Sequence, residues 1–594
     1  MRALRPLALA VTVAFRADPW RASGVLVLTG ATSVVGLLNA FWLKRIVDAA
    51  AAGDGRAALL GAVSIGITAG LGMVAHTSVT RMQFPLKEKT GLYLDRRVVD
   101  LVGGIPTIDH HERPDYLDRI DVLRREMHIL GFAGMDSAGA LGLLVQVVAT
   151  GVLLVSVNPL LLAIPLFALP SLWAGAKAER IRQAALDATA DRSRRSRHLF
   201  ELATTSTAAK ELRVFGLGNE LLHRHRTDWE ATDRLLDVAA RRGLAWTGAG
   251  WLLFGAGYGG AIALIAAQAV RGEATIGDVV LGLALLAQVN SQVSAAAGTL
   301  TSFVRIVRVA GRCVWLSDYA AGRRTAATAT APAPDRLERG IELRGVTFRY
   351  PDSDRDVLAG FDLFLPAGAT VAVVGDNGAG KSTLVKLLCR LYEPSEGVIS
   401  VDGTDLSGID VAAWRTRVSA GFQDFARLEL PAVQTVGVGD LPLVDDTAAV
   451  ASALERAASG DIVAALPDGL NTQLGASFDA GVELSGGQWQ KLALARALMR
   501  PAPLLLVLDE PTAALDAATE HALFERYASM ASNLAGDTGA ITLLVSHRFS
   551  TVRMADLIVV VDGGRIVSAG RHDQLMAETG LYAELYELQA RSYR

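Results

Sequence analysis

Charged side chains are spread very unevenly along the chain. Residues 22–43, 57–80, 137–176, 243–270 and 279–304 contain no Asp, Glu, Lys or Arg. A helix needs roughly 20 largely apolar residues to cross a ~30 Å hydrocarbon core. Four of these stretches therefore predict one span each. The fifth, 137–176, predicts two, with Asn158-Pro159 supplying the turn between them. The count is six membrane helices. Between the spans, long segments rich in charge and helix formers, such as Glu179 to Arg197, read as helices continuing beyond the bilayer. Breaks at Gly103-Gly104-Ile105-Pro106 and Gly216-Leu217-Gly218 predict that each long hairpin turns over near its tip.

After about residue 340 the pattern changes to short apolar runs separated by polar loops. Thr370–Val374 and Leu504–Leu508 read as buried β-strands. Between the halves, Thr325 to Pro334 is poor in bulky apolar residues and carries two prolines, which marks a linker. The expected organisation is an all-α transmembrane domain over 1–316, a linker over 317–339 and an α/β domain over 340–594.

Charge sharpens this division. The formal net charge is only −3, but residues 1–320 hold 34 Lys/Arg against 26 Asp/Glu, and residues 321–594 hold 24 against 35. With the N-terminus inside, the inner segments carry 30 Lys/Arg. The outer loops carry four: Lys44, Arg45, Arg56 and Arg271. That bias predicts a multi-pass protein of the inner or plasma membrane with both termini cytoplasmic. Residues 1–20 do not read as a signal peptide, because the apolar run Leu7–Phe15 is short and no small-residue cleavage site follows it. Two cysteines exclude a disulfide framework and a multi-cysteine zinc site. The near-neutral total gives no sign of nucleic-acid binding. Asn39, His76, Gln146, Gln268, Gln288, Asn290 and Gln292 lie within the spans. Such groups are costly against lipid and should face other helices or a water-filled cavity. Gln288, Asn290 and Gln292 cannot all share one helix face.

The candidate chemistry lies in the second half. The strand 370–374 runs into Gly375-Asp-Asn377-Gly378-Ala379-Gly380-Lys381-Ser382-Thr383, which fits G-x4-G-K-[ST], the phosphate-binding loop. Glycines let backbone N–H groups close around a phosphate without Cβ clashes. The following helix points its positive end at the anion. Lys381 is placed to reach the β- and γ-phosphates of ATP, and the Ser382 hydroxyl to hold Mg²⁺. The second strand ends in Asp509-Glu510. An acid there holds Mg²⁺ through water, and the next acid polarises an attacking water.

Leu484-Ser485-Gly486-Gly487-Gln488 then resembles the signature of ATP-binding-cassette (ABC) proteins, and the remaining elements of that family follow in order. Tyr350 looks like the aromatic residue that stacks on adenine. Gln423 resembles the glutamine that senses Mg²⁺, Ala513-Ala-Leu-Asp516 the D-loop, and His547 the switch histidine that contacts the γ-phosphate. Six spans ahead of one such domain resemble an exporter-type half-transporter, with the sequence around Phe422 and Trp489 similar to bacterial peptide and antibiotic exporters.

The resemblance implies several things. Glu510, His547, Lys381 and Gln423 carry catalysis. Ser485, Gly487 and Gln488 of a second subunit close the site, so the chain pairs with a copy of itself or with a paralogous half-transporter. Coupling helices lie near 110–118 and 212–220, with His110-His111 as surface residues. The expected activity is ATP-driven export of a hydrophobic, amphipathic or peptide-like molecule. Import by an exporter-like fold and a nucleotide-gated channel or sensor are the alternatives. The chain departs from the family pattern at Trp489, at Leu430–Thr435 and at Thr472–Glu483.

Overall fold

The computed structural model describes residues 4–205, 208–326, 329–351, 353–510, 517–546, 552–578 and 580–592. It divides into two compact units. One is Met1–Asp100 with Asp121–Ser317; the other is Leu101–Ile120 with Asp318–Arg594.

The first unit is helical: α1 Leu4–Ala17, α2 Pro19–Ala51, α3 Gly55–Gly103, α4 Pro114–Leu130, α5 Ala133–Val157, α6 Ile164–Ala188, α7 Ala190–Thr204, α8 Ala209–Val214, α9 Gly218–Val270 and α10 Ile276–Ala326. Among the described residues, six helices are long and apolar enough to cross a membrane: α2, α3, α5, α6 with its preceding 3-10 turn, α9 and α10. Several far exceed the bilayer. At 1.5 Å per residue, the 49 residues of α3 extend about 74 Å against a core of ~30 Å. The charged extensions stay helical partly through pairs one turn apart, such as Arg182–Glu179, Arg224–Glu220 and Arg241–Asp237. Asn158 forms the expected turn, its Oδ1 accepting from the Leu160 N–H at 2.8 Å.

Helix α1 was not anticipated. Its 14 residues are too few to span a bilayer, but Ala10, Val13 and Ala14 form one fully buried stripe. A Cβ on Gly134 of α5 would lie 2.7 Å from the Ala14 Cβ, so glycine permits this close approach. Asp18 then caps α2, accepting from the Arg21 N–H and from the Lys89 ammonium at 2.8 Å.

The second unit is built on two sheets. An antiparallel sheet has the order β2-β1-β4-β5, with β1 Gly340–Phe348, β2 Leu358–Pro366, β4 Glu396–Val401 and β5 Thr404–Asp405. A six-stranded sheet has the order β10-β9-β3-β8-β7-β6, with β3 Thr370–Val374, β6 Val418–Gly421, β7 Leu505–Asp509, β8 Ile541–Val545, β9 Leu557–Asp562 and β10 Arg565–Gly570. All its pairings are parallel except β9 with β10. Strands β7 and β8 are buried at every position, which is why Leu505–Leu508 reads as an unbroken apolar run.

The structure corrects four sequence expectations. The stretch read as linker begins as helix: α10 continues to Ala326, because Ala320 is buried and no proline interrupts it before Pro332. The first loop tip is a 3-10 turn, Asp109–Glu112, after which Pro114 already starts α4. The second tip is a turn at 215–217, with Gly216 at φ 65°, between α8 and α9 rather than a helix over 212–220. His110 is not a surface residue. It is 2% exposed, packed edge-on against Tyr116, and burial lowers its pKa to about 4. No metal-binding cluster of His, Cys, Asp and Glu occurs among the described residues.

Candidate active site

The phosphate loop follows β3, with three glycines at positive φ: 153° at Gly375, 83° at Gly378 and 105° at Gly380. A Cβ at Gly375 would sit 2.0 Å from the Val561 carbonyl oxygen, and one at Gly380 2.9 Å from that of Val357. The loop therefore passes so close to β9 and to the start of β2 that only glycine fits. Helix α11, Lys381–Leu388, starts at Gly380. Lys381 Nζ donates to the Gly375 and Asp376 carbonyls, both at 2.8 Å, which holds the ammonium over the loop. Burial lowers the Lys381 pKa, opposed by Glu510, Asp509 and Asp376.

Strand β7 delivers Asp509 and Glu510 beside this loop. Asp509 is buried, its Oδ1 has no hydrogen-bond partner, and the Ser382 hydroxyl lies beside its carboxylate. Burial raises its pKa, helped by Glu510 and Asp424 and opposed by Ser382 and Lys381. An orphaned buried carboxylate oxygen beside a hydroxyl is a hard-oxygen donor set that fits Mg²⁺. Glu510 sits at φ 48°, a left-handed conformation costing roughly 1–2 kcal/mol for a non-glycine residue. It persists because the Glu510 N–H donates to the Val545 carbonyl at 2.9 Å and the Gln490 amide donates to the Glu510 carbonyl at 3.3 Å. Gln423 Nε2 donates to Glu510 Oε2 at 2.8 Å. The strained turn thus places a fixed carboxylate between the two strand-end loops.

Tyr350 follows β1. Its ring packs edge-on against Phe348 and Tyr392, and its hydroxyl lies 3.0 Å from Thr383 Oγ1 and 3.3 Å from Lys386 Nζ. Lys386 also donates to Glu112 at 3.0 Å, and the Tyr392 hydroxyl donates to the same carboxylate. Burial acts to lower the Lys386 pKa, but Glu112 and Tyr350 outweigh it and the net shift is upward. Within the second unit the loop tip 101–120 is fixed further by the Ile108 N–H on the Leu391 carbonyl at 3.1 Å and by Arg415 on the Pro106 carbonyl.

The signature segment opens helix α12, Gly486–Ala497. Ser485 caps it in a reciprocal box: Ser485 Oγ accepts from the Gln488 N–H, and Gln488 Oε1 accepts from the Ser485 N–H at 2.9 Å. The positive end of this helix is electrostatically suited to an anion. No hydrogen bond joins 484–488 to the phosphate loop among the described residues. Trp489, where the sequence departs from the family pattern, is 1% exposed and donates to Glu483 at 3.3 Å. It locks the preceding loop to the signature helix. Trp489→Ala should cost roughly 3–5 kcal/mol, read as a lower melting temperature of the purified protein.

His547 and Ala513–Asp516 lie outside the described residues. Lys386 and Glu112 were not singled out from sequence, and Gln490 was given no role in the site. Only Gln490 had a local signal, two positions past the signature; the others meet the site through tertiary contacts.

Residues 358–513 match the family model described as ABC transporter. The second unit carries an ABC transporter domain. The chain is 41% identical over 252 residues to an ATP-dependent lipid A-core flippase of Burkholderia orbicola, covering 42% of this chain and 40% of the relative. It is 37% identical over 333 residues to the flippase of that name from Bordetella pertussis, covering 56% and 51%. The chain thus spans about half or less of the length of these curated relatives. Among solved structures, a bacterial Atm1-family ABC exporter with ATP bound superposes with a TM-score of 0.76 at 24% identity, over 96% of this chain and 98% of the other. The likeness to that exporter is one of fold, and it extends over nearly the whole chain.

Proposed function

We propose that the chain is one half of a membrane ATPase that exports an amphipathic, lipid-bearing molecule from the cytoplasm. The observation that carries this reading is Glu510, held by Gln423 beside Lys381, Ser382 and Asp509, in a chain with six membrane-length helices. The names of the flippase relatives favour a lipid-linked cargo over a peptide.

The residues divide the work. Backbone N–H groups of Gly378, Ala379 and Gly380 and the start of α11 bind the phosphates, and Lys381 turns from its loop carbonyls to their oxygens. Asn377 and Thr383 complete the loop, and Tyr350 supplies the adenine platform. Ser382, Asp509 and Gln423 would hold Mg²⁺, partly through water. When bound, the ion neutralises charge developing on the phosphates. Glu510 orients the water that attacks the γ-phosphorus and receives its proton as the bond to ADP breaks. His547 is assigned to the γ-phosphate. The N-terminus of α12 needs an anion, and Ser485, Gly487 and Gln488 supply it to the site of a second copy. Two chains then clamp two ATP molecules, and hydrolysis releases the clamp. On this reading both termini are cytoplasmic, which the excess of Lys and Arg in the inner segments supports.

The test is reconstitution. Proteoliposomes with outward-facing ABC domains should take up a fluorescent glycolipid on ATP addition, by a dimeric protein. A stably monomeric chain that hydrolyses ATP at full rate would overturn the reading. Tyr350→Ala should weaken ATP binding by about 1 kcal/mol, roughly fivefold, in a direct binding titration. Tyr350→Phe should retain most of the affinity.

A further inference from the structure

A cavity of about 370 Å³ lies between α2, α3 and α10, lined by Gly36, Leu37, Asn39, Ile65, Leu285 and Gln288 among others. The neighbouring ends of α2 and α10 are tied together. Lys44 pairs with Asp278, and Asp48 accepts from the Gly277 N–H at 2.9 Å. Asn39 lies twelve residues before the end of α2 at Ala51, and Gln288 twelve residues after the start of α10 at Ile276. Along the helix axes Asn39 is therefore about 8–14 Å from the tied residues Lys44 and Asp48, and Gln288 about 15–17 Å from Asp278 and Gly277. Both carboxamides lie within the uncharged spans 22–43 and 279–304, where an unsatisfied polar group is costly.

Their hydrogen-bonding states are informative. Asn39 Oδ1 accepts from the Thr68 hydroxyl at 2.5 Å, which fixes the amide plane. Among the described residues no hydrogen bond engages the Asn39 amide nitrogen or any atom of the Gln288 amide. Gly36 lies beside Gln288: a Cβ there would make an ordinary contact, 3.4 Å from Gln288 Oε1. Gln292, one turn further along α10, is different. It is buried and donates to Thr150 Oγ1 at 2.6 Å and to the Gln146 carbonyl at 3.3 Å, so it serves helix packing.

We infer that this cavity is a substrate subsite, and that Asn39 and Gln288 hydrogen-bond an uncharged carboxamide or hydroxyl group on an apolar chain. The inference rests on the export reading above and specifies the cargo's chemistry. The cavity wall carries no cation or anion, and the nearest charged pair, Lys44–Asp278, is engaged with itself. A phosphate or carboxylate would enter without a counter-charge, at a cost a neutral donor–acceptor group avoids. The aliphatic lining from Leu37, Ile65 and Leu285 suits the attached hydrocarbon.

The experiment uses the full chain in nanodiscs and N-decanoylglycinamide carrying a chain-terminal diazirine. Irradiation should place adducts on residues 36–43 and 284–288. Unlabelled N-decanoylglycinamide should compete, and decyl phosphate at the same concentration should not. Gln288→Leu and Asn39→Leu should each lower labelling at least tenfold, with melting temperature, dimer fraction and basal ATPase unchanged. Adducts elsewhere, undiminished labelling in both variants, or equal competition by decyl phosphate would overturn the subsite. A loss of melting temperature or dimer in both variants would instead assign the two amides to helix packing. Labelling requires no turnover. A correctly labelled protein that moves nothing on ATP addition would therefore sink the export reading and leave the subsite standing.

Discussion

Glu510→Gln should lower ATP turnover by about two to three orders of magnitude while leaving ATP affinity within a few-fold of the parent. The physical basis is that the amide keeps the size and the acceptor oxygen but loses the negative charge. Gln423 Nε2 donates to Glu510 Oε2 at 2.8 Å, and the backbone pins on Val545 and Gln490 do not involve the side chain. The geometry should therefore survive, and with it the nucleotide-binding groups, which lie on other elements. What is lost is a group that acts on the attacking water in the transition state alone. Removing one such interaction typically costs 10²–10³ in kcat, or about 3–4 kcal/mol. Single-turnover hydrolysis and equilibrium ATP binding on the same preparation separate the two quantities. Parent-like turnover would remove Glu510 from the catalytic role. A matching loss of affinity would make it a binding residue instead.

The second large effect is expected at Gly375→Ala. The residue sits at φ 153°, and a Cβ would lie 2.0 Å from the Val561 carbonyl oxygen, a backbone atom that cannot swing away. The loop must move off β9, and the N–H groups that face the phosphate move with it. Losing two charge-assisted hydrogen bonds at roughly 1.5 kcal/mol each gives about 3 kcal/mol, or roughly a hundredfold weaker ATP binding. Gly378→Ala is the control. It also has positive φ, 83°, but a Cβ there meets nothing within 4 Å, so only the backbone strain of about 1–2 kcal/mol applies. Similar losses in the two variants would show that clash with β9 is not what fixes the loop.

The sequence alone determined the features that depend on local composition. A bilayer demands long uncharged runs, so five such runs, one of them twice the needed length with a turn inside it, specify six helices. A parallel strand buried on both faces must be largely apolar, so Thr370–Val374 and Leu504–Leu508 were legible with their following motifs. The phosphate loop, the Asp509-Glu510 pair and the signature are contiguous, and each declares its chemistry by residue type and spacing.

Only the tertiary structure decided which distant groups meet. Gln423 and Glu510 stand 87 positions apart, and Lys386 and Glu112 stand 274 apart. No periodicity encodes either contact. The same holds for burial where local pattern is neutral. His110 next to charged neighbours reads as exposed, and tertiary packing against Tyr116 and Tyr319 makes it interior. Gln288 and Gln292 are identical side chains one turn apart on one helix. Thr150 on α5 satisfies Gln292, whereas Gln288 opens into a cavity, because a hydrogen bond depends on what another helix brings within 3 Å.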